Sequence, residues 1–531
     1  MNVLVTDPIA DVGLDRLREA GHEVETEYEL TGDALREAVA DAHALIVRSG
    51  TEVTRELLAA ASELRIVGRA GIGVDNIDID AATDHGVIVA NAPEGNVRAA
   101  AEHTVAMAFA SARSIPQAHD RLTRGEWAKG DYLGTEVNGK TLGVVGLGRV
   151  GQEVAKRLAA LGMELVAYDP YISEERADQL GAELAELDVV LDRADILTIH
   201  TPLTPETEGL ISDDELARLD GGYVVNCARG GIVDEPALAA AVEDGTLAGA
   251  ALDVFGEEPL PADSPLLDVD GIVTTPHLGA STSAAQEHVA TSIAEQVLAA
   301  FAGEPVVNAL NAPSMDAAAF PRVEPYIGIA ETAGEIAVQL LDGRLEAIEI
   351  AYEGDIADEE IDLVTASGLK GVFEPSQLQV NSVNAQEIAE ERGIEVTESK
   401  RRQSDDFQSL VTVTVTGESD SVAVCGTLFN DDDPRIVRID GYRVDAIPGG
   451  QMVIARNTDE PGVIGLLGSV MGEYDINIAG MYNARETIGG AALTVYNVDH
   501  EIPAGAREQL LADDRIIDIT YIALDGIERG R

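Results

Sequence analysis

Three polar residues in the middle of the chain stand where chemistry would need them. "NCARGGIVDE" sets Arg229 behind an apolar run and ahead of two glycines, "ALDVFGEEP" sets Glu258 before Pro259, and "TTPHLGAST" sets His277 after Pro276. Alone, His277 reads as an ordinary loop histidine and Arg229 as a surface ion-pair partner. Together they follow successive apolar strands of one alternating unit, and in open α/β sheets ligands gather beyond the carboxyl ends of the strands. The residue types suit the oxidation of a 2-hydroxy acid. An imidazole, with an ordinary pKa of about 6.5, can take the hydroxyl proton as hydride leaves. A buried carboxylate beside it orients the ring and favours its protonated form. Arginine offers a planar fork to a substrate carboxylate and can polarise the C2 oxygen.

Such a reaction needs a hydride acceptor, and the sequence offers a place for one. In "TLGVVGLGRVGQEVAKRLAALGMELVAYDPY", Gly146, Gly148 and Gly151 form G-x-G-x-x-G between a strand and an amphipathic helix. A second strand ends at Asp169, 18 positions beyond Gly151. A glycine triplet alone is weak in a chain with 52 glycines, but each part here has a physical task. Gly146 permits the tight turn, Gly148 lets the backbone approach a pyrophosphate, and Gly151 lets the helix pack on the strand. The N–H groups at the helix start favour an anion. Asp169 is placed to accept from both ribose hydroxyls and to repel a 2′-phosphate, which predicts NAD rather than NADP.

Short strands and helices alternate through the first hundred residues, and again from about Lys140, which predicts α/β architecture with parallel sheets. Between them "AAAEHTVAMAFASARSI" is an almost wholly apolar helix, and "STSAAQEHVATSIAEQVLAAFAGEP" is a helix that would return the chain to the first unit. The expected division is 1–98 with 288–311 for a substrate-binding unit and 99–287 for a nucleotide-binding unit inserted in it. A region with a strand pair at "SLVTVTVTGESDSVAVCGTLF" follows over 312–449. The closing unit, 450–531, reads strand, helix, strand, strand, helix, strand, the ferredoxin-like order.

Charge and cysteine usage narrow the partners. The chain has 36 basic and 95 acidic residues, a net charge of −59, which disfavours nucleic acid and anionic membranes. Lysine supplies only 5 of the basic residues. The acids are spread along a well-patterned chain rather than gathered in a tail, a composition suited to concentrated salt, where screening shortens the repulsion. No apolar run suggests a membrane span, and the start "MNVLVTDPIADVG" suggests no leader peptide, so a cytoplasmic protein is expected. Cys227 and Cys425 suggest neither a disulfide framework nor a metal site.

The set "VGLGRVG…YDP", "HTPLTPET", "NCARGGIVDE", "ALDVFGEEP" and "TPHLGAST" resembles the D-isomer-specific 2-hydroxyacid dehydrogenases. With "ALIVRSGTEVT", "GRAGIGVDNIDIDAAT" and "NAPEGNVRAAAEHT", and two further C-terminal segments, it is most similar to the long, four-segment members that oxidise 3-phospho-D-glycerate. The resemblance implies a Rossmann-type NAD domain inserted in a flavodoxin-like substrate domain, then an α+β intervening domain and an ACT regulatory domain. It makes His277 the acid/base, Glu258 its partner and Arg229 the carboxylate anchor. It implies NAD contacts at Arg149, Val150, Thr201, Cys227, Ala228, Asp253 and Gly279 besides the glycine turn and Asp169. Arg48, Ser49 and Asn96 would bind the substrate phosphate, with the backbone of Gly71, Ile72 and Gly73 near the carboxylate. Asp459 and Asn477 match positions that bind serine between subunits in relatives, while Asn457 departs from the aromatic found in some of them. A homo-oligomer, a dimer or tetramer, is implied as well. The arginines Arg401, Arg402, Arg435, Arg438 and Arg443 read either as an anion site or as partners of neighbouring acids. Two other readings keep the fold: a relative acting on glyoxylate or hydroxypyruvate, and a non-catalytic NAD-sensing protein.

Overall fold

The computed structural model describes residues 1–524 except 29, 94, 316, 317, 377–379, 405, 419, 431 and 432. Residues 525–531 of the expected closing unit therefore lie outside the described residues.

The opening alternation becomes a five-stranded parallel sheet of Asn2–Val5, Glu23–Thr26, Ala44–Val47, Ile66–Arg69 and Ile88–Asn91. Its order is second, first, third, fourth, fifth, the flavodoxin-like winding. The central strand "ALIV" is buried at all four positions, as expected of a strand covered on both faces. The helix Ser283–Ala302 packs on this sheet through Val289, Ile293, Ala294 and Val297. It crosses the expected boundary at 287/288 as one element.

The second alternation forms a seven-stranded parallel sheet. Its strands are Thr141–Val145, Glu164–Tyr168, Ala182–Leu184, Ile196–Ile199, Tyr223–Asn226, Gly249–Leu252 and Ile272–Thr274. Counted within this sheet, the order is 7-6-5-4-1-2-3. Winding reverses between the first and fourth strands, and ligand sites form at such a reversal. The apolar helix Val97–Ala112 buries Ala101, Met107, Ala108 and Ala112 against this sheet.

The third region holds more than the strand pair expected from its sequence. Six strands form one mixed sheet: Leu345–Gly354, Glu395–Arg401, Ser409–Gly417, Ser421–Phe429, Asp433–Ile439 and Tyr442–Ala446. The strand "EVTESKR" is an exposed edge without an apolar face, so hydrophobic alternation could not reveal it. The helix Phe320–Leu340 lies across the sheet.

The closing strands Gly450–Thr458, Ile478–Arg485, Ala491–Val498 and Ile516–Leu524 pair antiparallel in the order second, third, first, fourth. Val453 and Ala455 face the two helices of this unit. Met452 and Ile454, alternating with them, join Leu493, Val495, Ile522 and Leu524 in one core with the preceding region. The last two units are thereby fused through the helix-free face of the final sheet.

Candidate active site

The glycine turn follows Val145, at the end of the first strand of the large sheet. Gly146 has φ +92, and a Cβ there would lie 2.8 Å from the His200 carbonyl oxygen. A Cβ at Gly151 would lie 2.1 Å from the carbonyl oxygen of Gly146, so the helix Arg149–Ala160 could not seat on the turn with any side chain there. Gly148 caps that helix with nothing within 4 Å of its missing Cβ, which leaves the backbone open to a ligand beside Arg149 and Val150. Across the reversal, Thr201 Oγ1 is buried without a hydrogen-bond partner among the described residues. His200 is kept neutral by burial, which lowers its pKa to about 3. Its ring lies 2.9 Å from Thr198 Oγ1.

Asp169 has a task beyond the one its spacing suggests. Its Oδ2 accepts from the Leu147 N–H at 2.7 Å and its Oδ1 from the Tyr171 N–H at 2.9 Å. The carboxylate therefore ties the glycine turn to the second strand, and its remaining lone pairs are those available to a ribose.

Arg229, Glu258 and His277 follow the fifth, sixth and seventh strands of the same sheet. His277 sits in the left-handed region at φ +53. Its Nδ1 is 2.7 Å from Glu258 Oε2, and the other Glu258 oxygen accepts from the Phe255 N–H at 3.1 Å. Burial by itself would raise the Glu258 carboxyl; the bond from His277, its charge and the Phe255 N–H outweigh burial and hold the carboxyl below its ordinary range. Glu258 thus stays ionised beside the ring. It holds Nδ1 and leaves Nε2 to exchange a proton.

Asp253, fully buried, fixes the loop that carries His277. Its Oδ1 accepts from the Leu278 N–H and its Oδ2 from the Gly279 N–H, both at 2.8 Å. Thr275 Oγ1 and His103 Nε2 also reach Oδ1. These bonds keep Asp253 ionised against the opposing effect of burial. Cys227 lies beside the group; burial, reinforced by Asp253, pushes its thiol up to about 12 despite a bond to Thr104. Cys227 is therefore a thiol at neutral pH and no nucleophile. The donor atoms of His103, Cys227 and Asp253 lie within 4.8 Å of one another, but the carboxylate is engaged by the loop. The Asn226 side chain closes the next turn, accepting from the Ala228 N–H at 3.0 Å and donating to the Arg229 carbonyl at 2.8 Å. Gly230 abuts Phe255, since a Cβ there would fall 1.8 Å from the Phe255 oxygen. The loops bearing Arg229 and Glu258 are thus in backbone contact.

From the first sheet, Arg48 and the Gly71–Gly73 turn reach the same cleft. The Arg48 N–H donates to Asp7 Oδ2 at 2.6 Å, and Asn76 holds the Arg48 and Thr51 carbonyls. Ser49 is exposed at the tip of this loop, and Asn96, at the head of the helix Val97–Ala112, has a buried Oδ1 without a partner among the described residues. Asn91 donates to the Ile72 carbonyl at 2.6 Å. A Cβ at Gly71 would fall 1.4 Å from Arg69 Nη1, and one at Gly73 1.9 Å from Arg229 Nη2.

Arg69 was not singled out from the sequence. It is a largely buried guanidinium whose Nε has no partner among the described residues. Burial, then the charges of Arg229 and Arg48, lower its pKa to about 10, opposed by Asp75 and Asp7. Arg69 and Arg229, from two sheets, therefore flank the Gly71–Gly73 turn, and the charge of Arg48 is felt there as well. The only hint in the sequence is that Arg69 ends an apolar strand, as Arg48 does.

Asp459 and Asn477 do not meet within this chain. Asp459 Oδ2 accepts from Arg485 and from the Gly489 N–H, while Asn477 donates to Asp499 at 2.8 Å. Asn457 is buried, 3.0 Å from Thr494 Oγ1. Every arginine of the five in the third region has an acidic partner: Arg401 with Glu353, Arg402 with Asp358, Arg435 with Asp433 and Asp445, and Arg438 and Arg443 both with Asp406.

Residues 105–279 match the D-isomer specific 2-hydroxyacid dehydrogenase NAD binding domain, and residues 322–440 match the D-3-phosphoglycerate dehydrogenase intervening domain. Over 528 residues, 99% of this chain and 100% of the other, the sequence is 43% identical to the D-3-phosphoglycerate dehydrogenase of Archaeoglobus fulgidus. The chain belongs to the D-3-phosphoglycerate dehydrogenases. Within that family it is also 42% identical to the Methanocaldococcus jannaschii protein, over 99% of this chain and 100% of that one. Among solved structures it is similar to the NAD-dependent formate dehydrogenase of Staphylococcus aureus in complex with NAD. That likeness has 31% identity and a TM-score of 0.53, and covers 57% of this chain and 97% of that one.

Proposed function

We propose that this chain catalyses the NAD-dependent oxidation of 3-phospho-D-glycerate to 3-phosphooxypyruvate, the first step of L-serine biosynthesis. The meeting of Arg69 and Arg229 at the Gly71–Gly73 turn, with the charge of Arg48 felt there, carries the reading. One guanidinium suffices for the carboxylate of a simple 2-hydroxy acid, whereas a carboxylate plus a dianionic phosphate matches three. Glyoxylate and hydroxypyruvate, which lack the phosphate, fit less well.

Arg229 would take the substrate carboxylate beside Gly73, and Arg48 and Arg69, with Ser49 and Asn96, the phosphate. Held so, the C2 hydroxyl would face His277, whose Nε2 accepts its proton while Glu258 stabilises the imidazolium. Bound NAD supplies the hydride acceptor. Gly146, Gly148 and Gly151, with Arg149 and Val150, would seat its pyrophosphate, and Asp169 its ribose. Thr201, Cys227, Ala228, Asp253 and Gly279 would make its other contacts. The experiment is an NADH absorbance assay with 3-phospho-D-glycerate, glycolate, D-lactate and D-glycerate. Preference for an unphosphorylated acid would replace this reading.

The finer assignments belong to the same proposal. The protein is taken as a cytoplasmic homo-oligomer, suited by its charge to concentrated salt. Its 450–531 segment is taken as an ACT module with L-serine as effector, with Asp459 for the ammonium and the Asn477 amide of another subunit for the carboxylate. Such a site must act on the cleft through domain motion, a coupling of about 1–3 kcal/mol. L-serine is expected to inhibit, and Asp459→Ala to abolish both the inhibition and the heat of serine binding to the full chain. No heat in calorimetry, with unchanged kinetics at millimolar serine, would leave the segment as an assembly module.

A further inference from the structure

One acid stands among the three arginines of the cleft. Asp75 follows the Gly71–Gly73 turn, and its Oδ2 lies 3.2 Å from Arg229 Nε. A Cβ built on Gly73 would be 3.0 Å from that oxygen and 1.9 Å from Arg229 Nη2. The Asp75 carboxylate, the Nε–Nη2 edge of Arg229 and the Gly73 backbone therefore share one spot. Arg229 Nη1 is held separately by the Ala228 carbonyl at 2.7 Å. The Nε–Nη2 edge is one a carboxylate can grip in two parallel bonds.

Two further facts define what Asp75 does there. Asp7, the other acid near Arg69, is committed to the backbone of Arg48 and Thr51. The Asp75 side chain is 67% exposed and, among the described residues, bonded only to Arg229, so no second bond there opposes its leaving when a better anion arrives.

We infer that Asp75 is a built-in competitor: in the substrate-free cleft its carboxylate occupies the place on Arg229 that the substrate carboxylate takes, and it swings out as the substrate enters. The inference rests on Arg229 as the carboxylate anchor. It implies that every carboxylate-bearing ligand displaces an existing ion pair, which weakens substrate and product alike. The ion pair also joins the two walls of the cleft, since Asp75 follows a strand of the first sheet and Arg229 one of the second.

The test compares wild type with Asp75→Asn and Asp75→Ser at one fixed salt concentration. Binding of 3-phospho-D-glycerate to the NADH-loaded enzyme is expected to tighten about 2- to 5-fold in both variants, the scale of one part-exposed ion pair. KM should fall by more than kcat changes. Glycerol 3-phosphate, which has the phosphate and no carboxylate, serves as control, and its affinity should not move. A raised KM with a lowered kcat would mean that Asp75 holds Arg229 in place, and would overturn the inference. So would an unchanged affinity, or equal tightening of glycerol 3-phosphate, which would be a plain effect of net charge. Two variants guard against one that misfolds, checked by thermal melts. Absence of 3-phospho-D-glycerate oxidation in the wild type would instead count against the proposed substrate.

Discussion

His277→Ala is expected to lower kcat/KM for 3-phospho-D-glycerate by about 10²–10⁴-fold, the usual worth of a positioned acid/base, while NAD binding stays unchanged. The geometry separates the two effects. The ring is bonded through Nδ1 to Glu258 and lies in a loop pinned by Asp253 through Leu278 and Gly279. Removing the imidazole deletes the proton acceptor but leaves those backbone bonds in place. Glu258→Gln should cost less, because the ring remains and only its orientation and charge support weaken. Steady-state kinetics with a parallel fluorescence titration of NADH would check both. If His277→Ala keeps full turnover, or loses cofactor affinity in step with activity, the assignment of the proton to His277 is wrong.

The second large effect concerns salt. With a net charge of −59, self-repulsion in dilute buffer extends over about 30 Å at 0.01 M salt and only ~3 Å at 1 M. The melting temperature should climb steeply from low to molar KCl, and activity with it. Each kcal/mol of repulsion relieved is worth roughly 2–4 °C for domains of 150–250 residues. The exposed ion pairs, such as Arg402 with Asp358 at 2.8 Å, weaken as salt rises, but each is worth only about 0–1 kcal/mol. Long-range repulsion summed over the chain outweighs them. A melting temperature that is flat across a KCl series would refute the charge argument.

What could be read from the sequence was what is written in local spacing. The glycine turn, its helix and Asp169 lie within one short stretch, and Gly151 answers a backbone contact with Gly146 inside it. Arg229, Glu258 and His277 were visible because each breaks an apolar pattern at the end of a strand. Arg69 and Asp75 were not visible in that way. Arg69 matters through its burial and Asp75 through its contact with Arg229, more than a hundred positions away, and an arginine ending a strand looks the same whether it faces water or a cleft. Asp169 was read as a ribose ligand, but its bond to the Leu147 N–H depends on how the turn curls back. The strand Glu395–Arg401 escaped for the opposite reason: parallel pairing with Leu345–Gly354 organises it, and its own residues carry no pattern.

The fused core of the last two units bears on where this chain can be cut. Met452, Ile454, Leu493, Val495, Ile522 and Leu524 cover apolar residues of the preceding region, and burying one such side chain is worth roughly 1.5–3 kcal/mol. A truncation at Gln451, the obvious joint by sequence pattern, would strip that cover and leave an oily, aggregation-prone surface on the shortened protein. A cut in the "NAPSMDAAAF" stretch, ahead of the helix Phe320–Leu340, would take both C-terminal units away together and spare the nucleotide and substrate sheets. Limited proteolysis should accordingly release a leading fragment and a trailing fragment, each resistant to further digestion, rather than a free closing unit.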